Sequence, residues 1–111
     1  MTENTTVLKI VTDELNEMKA KDITILDVKD KTTITDNLVI ASGTSTRHIK
    51  AMADAIIVKT KELGHPPLGI EGERNSDWIL VDLGELIVHI MIPETRDFYQ
   101  LEKLWSSEEK K

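Results

Sequence analysis

The stretch 41–56, ASGTSTRHIKAMADAI, holds the residues whose types and spacing come closest to those of a chemical site. A short apolar run leads into the turn Gly43–Ser45 and then into a helix, and backbone N–H groups at such a helix N-terminus can bind a phosphate. Glu71 and Glu73 fall on one face of the next predicted strand, where two carboxylates can share Mg²⁺. Together these features resemble the plan of a metal-dependent nucleotidyltransferase.

Structural roles explain the same residues more simply. A glycine before a helix is common, Ser45 is a good N-cap residue, and an acidic pair two residues apart is usually a solvated strand end. The third carboxylate that such a transferase needs has no obvious source other than Asp82. Arg47 and His48 lie in the first helical turn, and we expect them to approach the acidic region 71–77.

Metal and thiol chemistry find no support in the sequence. The three histidines show none of the close spacings of a metal site, and the chain has no cysteine. We therefore predict no catalytic, metal-ligating or cofactor-binding residues, and the nucleotidyltransferase remains the alternative function.

The composition is typical of a globular domain, with 111 residues of which 40% are hydrophobic and 31% are charged. We expect one domain over 1–105 and a polar tail over 106–111. No segment approaches the ~20 apolar residues of a membrane span. The N-terminus lacks a basic region followed by a long apolar run, so we expect a cytoplasmic protein.

The charge distribution favours a basic partner. The formal net charge of −6 argues against a protein that holds DNA through its phosphates. The acidic excess is concentrated between Glu71 and Asp97, where seven acids are balanced only by Arg74 and Arg96. Such a region should attract a positively charged surface.

Hydrophobic spacing predicts three helices. The first begins at a Thr5 or Thr6 cap, and the second runs from about Ser45 to Leu63, where Gly64 ends it. A short closing helix follows Pro93. The apolar stripes of the first, second and closing helices are, in turn, Val7, Val11, Leu15 and Met18; Ile49, Met52, Ala53, Ile56 and Thr60; and Phe98, Leu101, Leu104 and Trp105, the last in the core.

Short β-branched and apolar runs predict strands at 23–28, 38–41 and 68–73 and in the two arms of 78–92. The first two show no clean alternation, which indicates burial on both faces. A helical crossover joins the second strand to the third, so we expect these two to pair in parallel. The order α-β-β-α-β-β-β-α predicts an α/β fold, a mixed sheet of about five strands with flanking helices.

The segment WILVDLGELIVHIMI predicts a β-hairpin, because two apolar runs flank Gly84-Glu85 and glycine at the first central position suits a two-residue type II′ turn. Such a turn sets the register. Leu83 then lies opposite Leu86, and the pairing continues residue by residue to Trp78 opposite Met91.

This register separates the hairpin into two faces. One is wholly aliphatic and should lie in the core: Ile79, Val81, Leu83, Leu86, Val88 and Ile90. The other carries Trp78, Leu80, Asp82, Ile87, His89 and Met91. It is too apolar for water and too polar for an ordinary interior, because a buried Asp or His needs a partner. Either it binds a protein partner, or the first or closing helix covers it and its polar groups are hydrogen-bonded inside.

Four segments in one order carry a family resemblance. They are GTSTRHI (43–49), PLGIEGE (67–73), DWILVDLGELIVHIM (77–91) and a closing pattern of Arg96, Tyr99, Leu101, Glu102, Leu104 and Trp105. Over 22–105 the chain resembles the ribosome silencing factors, also called Iojap-like proteins. Glu85 stands where the family usually has Asp, which keeps the charge.

The resemblance implies a nucleotidyltransferase-like fold without catalytic activity. It also implies binding to the large ribosomal subunit through ribosomal protein L-fourteen, which would block joining of the small subunit and repress translation when nutrients are short. The acidic excess agrees, because ribosomal proteins are mostly basic.

The hairpin register, in turn, predicts the partner-binding residues. Trp78 is expected to anchor the contact, because a buried aromatic residue often dominates an interface. The remaining residues are Leu80, Ile87 and Met91 as apolar area, Asp77, Asp82 and Glu85 as partners of Lys or Arg, and His89 as a hydrogen-bonding group at the edge. A homodimer formed through the same face is a further alternative.

Overall fold

The computed structural model describes residues 3–72 and 77–100. Its elements are α1 (Glu3–Glu17), β1 (Lys21–Asp27), β2 (Asn37–Ser42), α2 (Thr46–Glu62), β3 (Gly69–Glu71), β4 (Trp78–Asp82), β5 (Leu86–Met91) and α3 (Pro93–Tyr99). The predicted element order and mixed α/β class are confirmed. Glu73, the residues Leu101, Leu104 and Trp105 of the closing helix, and the polar tail 106–111 lie outside the described residues.

The strands form one five-stranded sheet in the order β1-β2-β5-β4-β3. Only β2 and β5 pair in parallel, and the other neighbours are antiparallel. The predicted parallel pairing of β2 with β3 is wrong, because β5 and β4 lie between them. The physical reason is burial. Five of the six residues of β5 are buried, which suits the sheet centre, whereas β3 has three residues, none fully buried, and suits an edge.

Helices α1 and α2 pack on one face of the sheet and enclose the core there. The predicted stripes are buried, with Met18 of the first only partly so. They meet alternate residues of β2, β4 and β5, which are Val39, Ala41, Ile79, Val81, Leu86, Val88 and Ile90. Among the described helices, none is long and apolar enough to cross a membrane.

The start of α1 was predicted wrongly from its local sequence, and the end of α2 was predicted correctly. The predicted caps Thr5 and Thr6 are wrong, because α1 begins at Glu3 and both residues lie within the helix. Gly64 ends α2 as predicted, with φ 89° and the N–H of His65 bonded to Thr60 O at 2.7 Å.

Burial on both faces is confirmed for β2 but is wrong for β1. β1 is an edge strand, its pairing with β2 is interrupted between Lys21 and Thr24, and Ile25 on the helix side is 47% exposed. An edge strand has a neighbour on one side only, so less of its surface is covered.

Candidate partner-binding surface

The β4–β5 hairpin has the predicted register, from Asp82 opposite Ile87 to Trp78 opposite Met91. Gly84 has φ 89°, and Glu85 is not among the residues with positive φ, which fits the predicted type II′ turn. The aliphatic side of the hairpin lies under α1 and α2 as expected, with Leu83 partly buried at its end.

The opposite side of the sheet, here called the second sheet face, is where the sequence predicts a partner to bind. Cross-strand pairs place the predicted side chains of β4 and β5 beside those of β2 and β1. These neighbours are Leu38, Ile40 and Ser42 of β2 and Thr24 and Leu26 of β1. Within the hairpin, Trp78, Leu80, Asp82 and Ile87 are half-buried, whereas His89 and Met91 are buried.

Helix α3 covers one end of the second sheet face. Buried Arg96 donates hydrogen bonds from Nη1 to Ser42 Oγ at 2.9 Å and from Nη2 to Thr24 Oγ1 at 2.8 Å, so its guanidinium lies across β1 and β2. Ser42 is the sheet partner of Met91, and Met91 is fully buried. The expectation that Met91 adds exposed apolar area is therefore wrong, because Pro93 starts a helix that turns back over this end.

An aromatic cluster lies at the same end. The ring of Trp78 is 4.8 Å from that of Tyr99, which is 4.9 Å from that of Phe98, measured between centroids. Phe98 is 79% exposed and Tyr99 52%, so Phe98, which the sequence places on the apolar stripe of the closing helix, lies at the surface. Successive helical residues point about 100° apart, and two adjacent aromatics therefore indicate that at least one lies on the surface.

His89 is hydrogen-bonded inside the sheet face. Its Nδ1 accepts from the indole Nε1–H of Trp78 at 3.0 Å. Because an indole nitrogen only donates, the neutral ring must carry its own proton on Nε2. Burial lowers the pKa of His89 from 6.5 to about 4, so the ring is uncharged at neutral pH. His89 thus fixes the indole of Trp78 by a hydrogen bond. It was predicted to lie at the edge of the surface, but it is buried within β5.

A shallow apolar cavity of about 190 Å³ occupies the centre of the second sheet face. Three of the predicted site residues line it, Leu80, Ile87 and His89, together with four residues that the sequence analysis missed: Thr32, Ile34, Thr35 and Leu38. Ile34, at its rim, is 75% exposed. The only sequence signal for this part of the cavity wall is Ile34 itself, an apolar residue within the otherwise polar connection KDKTTITD.

Acidic groups border the surface. Asp77 and Glu85 are exposed, whereas half-buried Asp82 uses Oδ1 to accept from Gly84 N at 2.9 Å and so caps the hairpin turn. Arg96 is buried, whereas most of the described acids of this region are exposed. Among the described residues, the acidic side chains of the region are thus mainly at the surface.

The turn Gly43–Ser45 does not form a phosphate cradle. The N–H of Gly43 donates to Met91 O at 3.0 Å, and that of Thr44 donates to His48 Nδ1 at 2.9 Å. Ser45 Oγ accepts from His48 N at 3.1 Å, as an N-cap does. Two of the three turn donors are therefore already bonded within the protein.

The carboxylate predicted to join this turn lies far across the sheet. Glu71 ends β3, which is three strands from β2, or about 14 Å at the usual strand spacing. In residues 3–72 and 77–100 no three His, Asp or Glu side chains come together as a metal site. The described geometry does not support the nucleotidyltransferase alternative.

His48 joins the two helices of the packed face. Its Nδ1 accepts from Thr44 N, so Nε2 carries the proton and donates to Met18 O at 2.8 Å, just beyond the end of α1. Both ring nitrogens are thereby used within the helix layer. The predicted approach of Arg47 and His48 to the acidic region 71–77 stays a prediction, because residues 73–76 lie outside the described residues.

The comparisons with a family model and with individual proteins agree on one family. The family model described as ribosomal silencing factor during starvation matches residues 2–111. The ribosomal silencing factor RsfS of Haemophilus influenzae is 46% identical over 100 residues, which cover 90% of this chain and 98% of that protein. The mouse protein named mitochondrial assembly of ribosomal large subunit protein 1 is 43% identical over 95 residues, which cover 83% of this chain and 42% of the mouse protein.

The fold agrees with solved structures. A crystal structure of a Chromobacterium violaceum protein, 39% identical, superposes with a TM-score of 0.89 and covers 91% of this chain and 84% of that one. The relatives cited here are named for silencing or assembly and not for a catalysed reaction. With sequence and fold in agreement over nearly the whole chain, the protein belongs to the ribosomal silencing factor family, whose plant members include Iojap of maize.

Proposed function

We propose that the protein binds the large ribosomal subunit through ribosomal protein L-fourteen and, from that position, prevents the small subunit from joining. Translation is thereby repressed when nutrients are short, in the cytoplasm where ribosomes work. Family membership supports a ribosomal role. One observation supports the choice of the second sheet face as the binding surface: an exposed aromatic pair and an apolar cavity lie there beside exposed acids.

The apolar part of the contact centres on Trp78. Its ring packs against Tyr99, and its indole N–H is held by His89, so the ring is fixed before the partner arrives. A pre-positioned aromatic side chain loses little conformational entropy on binding, which favours affinity. Phe98 extends the aromatic area outward, and Leu80 and Ile87 continue it toward the cavity.

The acidic groups contribute recognition of a basic surface. Asp77 and Glu85 stand at opposite ends of β4, so a partner covering this strand meets negative charge at both ends. Exposed charges of this kind mainly raise the association rate and fix the orientation, and salt screens them. Asp82 contributes through the shape of the turn, because its Oδ1 is bonded to the backbone of Gly84.

Sucrose-gradient sedimentation tests the proposal. Purified large subunits should carry the protein with them, and the protein should reduce the yield of joined ribosomes when small subunits are added. Trp78→Ala should weaken binding about 30-fold, which corresponds to an anchor residue of ~2 kcal/mol. Glu85→Lys should weaken it about tenfold through charge repulsion, more at low salt than at high salt.

The matched control for the charge reversal is Glu62→Lys, an exposed change of the same type on α2, on the other side of the sheet. It should bind like the unaltered protein. Thermal unfolding of each variant separates lost binding from lost folding. Folded Trp78→Ala and Glu85→Lys variants that sediment with the subunit at full strength would refute this assignment of the surface.

The exposed aromatic pair also favours the homodimer alternative. Phe98 is 79% exposed, and burial of such a ring against a second copy would remove apolar area from water. We expect weak association only, because the exposed acids of two copies would repel one another. Light scattering over a range of protein concentrations, with Phe98→Ala as the comparison, measures this directly.

A further inference from the structure

The cavity of the second sheet face has a mostly apolar lining with three polar residues at its wall. Its volume of about 190 Å³ exceeds the ~150 Å³ of an apolar protein cavity that accommodates benzene, so an aliphatic or aromatic side chain fits. Leu38, Leu80, Ile87 and Ile34 supply the apolar wall, and Thr32, Thr35 and His89 supply polar groups. The hydroxyls of Thr32 and Thr35 are hydrogen-bonded within the chain, to Ile34 N and Asn37 O.

The proton of His89 Nε2 is the unpaired donor at this site. Nδ1 is occupied by the indole N–H of Trp78, which leaves the ring proton on Nε2. Within residues 3–72 and 77–100, Nε2 has no hydrogen-bond partner, although His89 is only 8% exposed. A donor at a cavity that opens to the surface can bond water in the free protein, and a partner that covers the cavity must replace that bond with an acceptor of its own.

We propose that the cavity receives an apolar side chain of the protein partner while His89 Nε2–H donates to a neutral carbonyl oxygen beside it. This inference rests on the proposed function and names what the partner must present: an aliphatic or aromatic residue next to an unpaired main-chain or amide carbonyl.

The choice of a neutral acceptor follows from the surroundings of the ring. Asp82 stands on the same face, diagonal to His89 across the β4–β5 pair, and exposed Glu71 lies opposite Leu80 on β3. A carboxylate brought to this site would meet both charges in a partly desolvated place, where repulsion is strong. A carbonyl carries the required lone pairs without that repulsion.

Two substitutions of His89 test the roles of its two ring nitrogens separately. Asn places its side-chain oxygen near the position of Nδ1, so His89→Asn keeps an acceptor for Trp78 and removes the outward donor. Gln reaches the position of Nε2, so His89→Gln keeps a donor toward the cavity and removes the acceptor. We expect His89→Asn to weaken binding to purified large subunits about tenfold and His89→Gln to weaken it less than threefold.

The apolar half of the proposal has its own pair of variants. Ile34→Ala at the cavity rim should weaken binding about fivefold, because part of the wall that the entering side chain contacts is lost. Val58→Ala, an exposed aliphatic residue on α2, removes similar apolar area away from the cavity and should have no effect.

A measurement without substitution covers the case in which a His89 variant does not fold. In protein with ¹⁵N-labelled histidine, titration with ribosomal protein L-fourteen should shift the His89 Nε2 resonance and slow exchange of its proton with water. An unchanged resonance at saturation would overturn the inference, and so would equal binding by His89→Asn and the unaltered protein, or equal losses for the Asn and Gln variants. If the unaltered protein fails to bind subunits at all, the proposed function itself fails and this inference with it.

Discussion

Acidification from pH 7 to pH 5 should destabilise the protein through His89. Burial lowers the pKa of this histidine from 6.5 to about 4, whereas in the unfolded chain the ring regains its ordinary value. Between these two values the unfolded chain binds one more proton than the folded one. The free energy of unfolding therefore falls as the pH falls through this window.

The size of the effect follows from the same two values. At ~1.4 kcal/mol for each pH unit, the difference between 6.5 and about 4 corresponds to ~3 kcal/mol over the whole window. About 2 kcal/mol of this is lost between pH 7 and pH 5, since the unfolded ring is mostly protonated at pH 5 and the folded ring is not. For a small domain this is a large fraction of the total stability.

Urea unfolding at pH 7, 6 and 5 measures the loss, and His89→Asn is the comparison. Asn does not titrate and keeps an acceptor for Trp78, so the variant should lose ~2 kcal/mol less than the unaltered protein between pH 7 and pH 5. All other titrating groups are common to both proteins and cancel. Equal losses in the two proteins would refute the buried, uncharged state of His89.

The remaining predictions concern stability and are checked by urea unfolding at pH 7. Gly43→Ala should cost roughly 1 to 3 kcal/mol, because a Cβ would lie 2.6 Å from Ile49 Cγ2. Gly64→Ala should cost about 1 kcal/mol, from its φ of 89° alone, since no atom lies within 4 Å of the added carbon. Ser45→Ala should cost about 1 kcal/mol through loss of the α2 N-cap. Arg96→Met should cost roughly 2 to 3 kcal/mol, because one buried and one partly buried hydrogen bond are lost.

Local signals predicted the hairpin and the ends of α2 well. The register from Trp78 to Ile87 depends only on the two-residue turn at Gly84, and the end of α2 depends only on a glycine that accepts positive φ. Each of these features is decided by a few residues that are adjacent in sequence, so the local sequence is sufficient to predict it.

Features decided by contacts distant in sequence were not predicted. The pairing of β2 with β5 places Asn37 beside Leu86, and the sequence of neither strand indicates which strand pairs with it. The aromatic pair at Phe98 and the wall at Ile34 depend on how segments distant in sequence meet on one face. Cover of this face by the closing helix was one of the two alternatives that the sequence left open, and α3 covers the end at Met91. Of the predicted site, only His89 and Met91 are buried, and the other six residues are at least partly exposed. The binding role of every residue stays a prediction.

The position of β5 in the sheet also bears on how the protein is made. This strand is the last of the five along the chain, yet it lies in the middle, between β2 and β4. During synthesis the earlier strands leave the exit tunnel without the neighbour that joins them, so the sheet cannot close until residue 91 has emerged. The nascent chain therefore exposes its apolar segments until late in translation, and completion of the fold depends on contacts of long sequence separation, which form slowly.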